Sequence, residues 1–212
     1  MEKFQNSREF NEIIADLKSK NFSEALKKIK TASVNYPNEN IILKLYAIIY
    51  FNLNEWENAI KYYKKILNFE KELYKIFTNI GVSYFKLGKI NKSIDAFKNS
   101  IKNNPNFGLA HNNLGISYLE LGMYEKALDQ FIAALKLNDN DYQAQTNLIN
   151  TFNLNKPKVN DEHPLIQIND KIEKLTQNKK FNEKFENKNI QELLEKSNEL
   201  IKIYKNNLFI NE

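Results

Sequence analysis

An all-α fold of stacked helix pairs is what this sequence predicts. Three observations carry that expectation: a 34-residue repeat, apolar faces at helical spacing, and few turn-forming residues. Ala25, Ala59, Ser93 and Ala127 recur every 34 positions, each followed four residues later by Ile29, Tyr63, Phe97 or Phe131. The same register holds Ile13, Ala47, Gly81 and Gly115, then Tyr50, Tyr84 and Tyr118, and then Phe22, Trp56, Ile90 and Tyr124. A fixed period of this length marks supersecondary units that bury their apolar faces only by stacking. Within one period, Ile76, Phe77, Ile80 and Tyr84 share one helical face, and Ile90, Ile94, Phe97 and Ile101 share another. Five glycines and four prolines in 212 residues are too few for a loop-rich β or α/β protein.

In chain order, the array is expected over residues 6–154, in units of about 6–39, 40–73, 74–107 and 108–141 with a lone helix at 142–154. The first helix, about Ser7 to Lys20, is a degenerate copy expected to face solvent, because Glu12 and Asp16 stand where large apolar residues recur elsewhere. In the second unit Asn54 replaces the turn glycine and Ile66 replaces a small residue, so its local angles are expected to differ. Gly88 and Gly122 close the first helices of the next two units, where a positive φ costs glycine least. The small residues Gly81, Ser93 and Ser100, and Gly115, Ala127 and Ala134, mark close helix crossings. Residues 155–164, NKPKVNDEHP, read as a polar linker with two prolines. Residues 165–212 carry two amphipathic patterns, Leu165, Ile168, Ile172 and Leu175, then Ile190, Leu193, Leu194, Ile201 and Tyr204. They are expected to form C-terminal capping helices or to begin a further domain.

The copies FTNIGVSYFKLGKINKSIDAFKNSIKNNP (Phe77 to Pro105) and HNNLGISYLELGMYEKALDQFIAALKLND (His111 to Asp139) strongly resemble the tetratricopeptide-repeat (TPR) pattern of Leu-Gly, Tyr, Gly, Tyr, Ala, Phe, Ala and Pro. That resemblance implies a right-handed superhelical solenoid of helix-turn-helix units whose first helices line a groove for an extended peptide or a partner helix. Carried over residue by residue, the groove takes Lys44, Lys75, Asn79, Val82, Lys86, Asn112, Asn113, Ile116, Asn147 and Asn150, with Ile41, Ile48, Thr78 and Leu109 beside them. Asn79, Asn113 and Asn147 fall in one column 34 apart, and each amide offers both a donor and an acceptor to a peptide unit. The family's clamp for a C-terminal carboxylate is matched at Lys44 and Asn79 only. Ile48, Leu109 and Asn113 occupy its other positions.

The expected function is therefore a protein-interaction scaffold whose partner is a protein or peptide, with Lys44, Lys75 and Lys86 favouring an acidic one. The competing expectation is the substrate-recruiting front region of a larger enzyme of transferase or oxygenase type. No catalytic residue, metal site or cofactor is expected. There is no cysteine, which excludes disulfides and thiolate chemistry. His111 sits where the pattern wants a bulky packed residue, and His163 beside Asp161 and Glu162 lacks the helical spacing of a metal site. The net charge of +5 comes almost wholly from dispersed lysine, with Arg8 the single arginine, so nucleic acid is not expected as a partner. The apolar stretch Ala47 to Phe51 is far too short to span a bilayer. The polar start MEKFQNSREFNEII lacks the apolar core of a secretory signal, which points to a cytoplasmic protein.

Overall fold

The computed structural model describes residues 4–37, 39–138 and 141–154; the expected linker, the capping helices and His163 lie outside them. Among the described residues there is a 3-10 turn, Phe4–Asn6, and then α1 (Arg8–Lys18), α2 (Phe22–Asn35), α3 (Asn40–Asn52), α4 (Trp56–Ile66), α5 (Leu73–Lys86), α6 (Ile90–Asn103), α7 (Gly108–Glu120), α8 (Tyr124–Leu137) and α9 (Tyr142–Leu154). These form a helical repeat solenoid without strands. The described helices divide between two compact units, one running to Ser117 and one starting at Tyr118.

Four turns recur at the repeat period. Lys20 and Asn54 both have φ of 60°, Gly88 has 69° and Gly122 has 68°. Each is the left-handed residue of a Schellman ending, in which the next amide reaches back over five residues to a carbonyl of the preceding helix. The pairs are Asn21 to Asp16 at 2.8 Å, and Glu55 to Tyr50, Lys89 to Tyr84 and Met123 to Tyr118 at 2.9 Å each. Asn54 thus adopts the glycine angle after all, because asparagine tolerates this region better than most residues. What differs in the second repeat is its exit. With Ile66 buried, α4 stops there and Leu67 continues at φ −56° in a right-handed conformation, whereas α6 ends on Asn104 at φ −148°.

In the N-terminal unit, the small residues sit where they were expected to permit close approach. A β-carbon built on Gly81 would lie 2.5 Å from Cε1 of Phe97, so α5 and α6 touch there through the missing side chain. Ser93 and Ser100 are fully buried, and their hydroxyls are satisfied. Ser100 donates to the Tyr74 carbonyl at 2.7 Å and meets Thr78 Oγ1 at 2.8 Å, while Ser93 donates to the Ile90 carbonyl at 2.7 Å and meets Ser117 Oγ at 3.1 Å.

The first helix does not simply face solvent. Ser7 caps α1 by accepting from the Phe10 amide at 3.1 Å, and Ile13 is fully buried in a cluster with Phe4, Ala25, Ile29 and Ala32. Asp16, on the polar side, is held by Lys28 of α2 at 2.7 Å. The amphipathic pattern therefore outweighed the two acidic substitutions: one face of α1 enters the core and the other is neutralised. In the C-terminal unit, Ala127, Phe131, Ala134 and Leu135 of α8 are buried, as are Ala144 and Leu148 of α9, and α8 packs on α9.

Candidate peptide-binding face

Three first helices, α3, α5 and the part of α7 up to Ser117, belong to the N-terminal unit, so their register positions can be read together. One column, Ile48, Val82 and Ile116, is aliphatic throughout: Ile48 is 41% exposed, and Val82 and Ile116 are half-buried. Leu109, at the start of α7, is 47% exposed. Large apolar side chains left in water at one repeat position are the kind of surface that a partner covers.

Two of the lysines expected beside them, Lys44 and Lys75, are engaged within the chain. Lys44 of α3 forms an ion pair with Glu70, in the turn between α4 and α5. Its hydrogen bond holds the Glu70 carboxyl below the ordinary glutamate range, against a smaller opposing effect of burial. Lys75 lies 2.8 Å from Glu72, which also accepts from the Tyr74 hydroxyl at 3.0 Å. Lys75 is raised and Glu72 lowered, each chiefly by the hydrogen bond between them. Lys86 is exposed in the last turn of α5, a favourable place for a cation beside the helix's negative end.

The asparagine column is not uniform. Asn79 Nδ2 donates to the Tyr63 hydroxyl across α4 and α5 at 3.1 Å. Tyr63 is buried, and that burial pushes its phenol well above the usual tyrosine range, while the Asn79 bond works in the other direction. Asn113 has Phe97 at the register position of Tyr63, so no hydroxyl can tether it there. Its side chain is half-buried, and its main-chain carbonyl accepts from Ser117 Oγ at 3.0 Å. Asn112 is 1% exposed and Thr78 is 3% exposed; both point into the helix packing rather than toward a guest. In the C-terminal unit, Asn147 is half-buried with its carbonyl accepting from Thr151 Oγ1 at 2.7 Å, and Asn150 is exposed on α9.

Sequence reasoning missed the ion pairs because Glu70 and Glu72 lie outside the helices that carry the lysines' register. The Ile48 and Leu109 exposures were readable, since both fell at positions where a charged or amide side chain would serve a carboxylate. His111 is half-buried with Nε2 3.0 Å from the Pro105 carbonyl.

Two tetratricopeptide-repeat family models match the chain, one over residues 74–107 and 108–141 and the other over residues 10–72. No curated protein matches it in sequence. Among solved structures, the first TPR of Spaghetti (RPAP3) bound to HSP90 peptide SRMEEVD is 22% identical, with TM-score 0.51 over 54% of this chain and 91% of that one. The MamA RS-1 ArsTM double mutant is 18% identical, with TM-score 0.61 over 68% of this chain and 80% of that one. The Arabidopsis OM64 TPR domain is 14% identical, with TM-score 0.51 over 54% and 95%. At these identities the likeness concerns the fold.

Proposed function

The chain belongs to the tetratricopeptide-repeat family, and from that premise we propose that it is a binding scaffold, not a catalyst, that holds a segment of another protein along the first helices of its repeats. The observation that carries this reading is the column Ile48, Val82 and Ile116, left partly in water at one register position with the Asn113 amide one turn away. A guest would cover the aliphatic side chains, and Asn113 would bond a peptide unit of its backbone. One such bond contributes only about 0.5 to 1.5 kcal/mol net, so most of the affinity has to come from apolar burial.

The HSP90 peptide bound to the Spaghetti domain, SRMEEVD, ends in Glu-Glu-Val-Asp, but the terminal-carboxylate pattern is poorly served in this chain. Lys44 is paired with Glu70, Asn79 is tied to Tyr63, and Ile48 and Leu109 stand where further polar contacts would be needed. For an acidic guest the support is Lys86, with Lys44 and Lys75 joining only when Glu70 and Glu72 release them.

The test is site-specific photo-crosslinking to a partner then identified by mass spectrometry. A crosslinker at Val82 should capture the partner, and Ile48→Asp with Asn113→Ala should abolish the capture. A crosslinker at Lys98, on the exposed side of α6, should not. Capture at Lys98 and none at Val82 would end the proposal.

A further inference from the structure

Resting on that reading, we infer that the guest is an uncharged, internal peptide segment that presents aliphatic side chains, not an acidic chain terminus. Two independent features of the N-terminal unit lead there. The first is charge. Lys44 and Lys75 each bind a carboxylate of their own chain, and both carboxylates are held ionised by those contacts. At Lys44 and Lys75 an incoming acid must displace Glu70 or Glu72 and would gain no net ion pair in doing so, which leaves it only the exposed Lys86 in the last turn of α5. A neutral guest leaves both pairs intact.

The second feature is the aliphatic column. Ile48, Val82 and Ile116 are β-branched or branched residues with few rotamers to lose on binding, and Ile48 and Leu109 keep 41% and 47% of their surface in water. A free C-terminus held at the positions of the family's carboxylate clamp would bring its carboxylate against Ile48 and Leu109, where its desolvation has no compensating donor. An internal segment brings no such charge. Its main-chain amide can meet Asn113, whose side chain is not tethered as that of Asn79 is.

The experiment is selection of random peptides on the full chain from two display formats, one with a free C-terminus and one internal. The expected winners come from the internal format, carry at least two Leu, Ile or Val, and have no net charge. An end-blocked synthetic winner should change its affinity by less than about twofold between roughly 50 and 500 mM salt, because screening acts on charge and not on apolar burial. Val82→Asp, and independently the more exposed Ile48→Asp, should weaken it by about tenfold, as loss of one buried aliphatic contact implies. Winners rich in Asp and Glu or confined to free C-termini, yet still lost on Ile48→Asp, overturn this inference and leave the binding face standing. Winners indifferent to both Asp variants overturn the inference and the binding face together.

Discussion

The α1–α2 and α5–α6 pairs occupy equivalent places in the repeat and are held together by different means. Between α5 and α6 the contact depends on what is missing: with no side chain on Gly81, Phe97 reaches the backbone, and Ser93 and Ser100 pass close with satisfied hydroxyls. Between α1 and α2 the small residue Ala25 is buried with Ile13 and Ile29, but much of the cover comes from outside the repeat motif. Phe4 is fully buried, with its ring 5.4 Å from that of Phe10 and 5.0 Å from that of Tyr36. Lys28 then ties the acidic side of α1 to α2. An internal repeat can rely on close approach because neighbours cover both sides; the terminal one needs a plug.

The largest expected effect tests the plug. Phe4→Ala should cost about 3 to 5 kcal/mol of local stability, the range for removing a buried aromatic. In a repeat array such a loss stays near its site. Hydrogen exchange should therefore speed up across α1 while the α5 and α6 amides keep their protection. Uniform loss of protection, or none, would erase the distinction between the two pairs.

Gly81→Ala tests the other side of the contrast. Its new methyl would meet a Phe97 ring carbon at 2.5 Å, which something must relieve. Overpacking of this kind costs about 1 to 3 kcal/mol, a fall of several degrees in Tm at this chain length. Adding Phe97→Leu should recover part of that loss, since the two positions share one contact. If the double variant melts lower than the sum of the two singles, the glycine is not there for Phe97.

A smaller effect of opposite sign lies in the turns. Lys20 and Gly88 hold the same left-handed angle and the same reach-back bond, but only lysine carries a β-carbon that this angle strains. Lys20→Gly should stabilise the α1–α2 pair by about 0.5 to 1 kcal/mol, and Asn54→Gly by less, as asparagine is already tolerant there. A lower Tm for Lys20→Gly would mean that the lysine contributes something beyond its backbone.

These turns also show what a sequence can and cannot disclose. Gly88 and Gly122 declare their angle, and the buried columns declare the packing, because period and side-chain size both constrain the backbone. Lys20 declares nothing, since the hydrogen bonds of its turn impose the angle on whatever residue stands there. Phe4 lies before the first repeat and so outside any register. On the candidate face, Thr78 and Asn112 share a register position with Lys44, yet they are buried, and Thr78 Oγ1 meets Ser100 Oγ at 2.8 Å. Position within a helix was legible; which side of the face each polar residue takes depends on the partner it finds on the next helix.

The smallest effect concerns the ion pair on the binding face itself. Lys44 lowers the Glu70 carboxyl below its ordinary value of 4.5, so the folded state favours the ionised acid more than the unfolded chain does. That contribution is fully present above the unfolded value and fades as pH falls through the lower, folded one. Both side chains retain solvent contact, 35% for Lys44 and 18% for Glu70, so screening keeps the effect small, about 1 °C in Tm. Wild type should lose that margin between roughly pH 5 and pH 3, whereas Lys44→Met should not have it to lose; identical acid profiles would show the pair to be idle. Glu70→Gln separates charge from fold on the same surface. It leaves Lys44 without its internal carboxylate, and acidic peptides should then bind that variant more tightly than wild type, with a salt dependence that the neutral aliphatic peptide lacks.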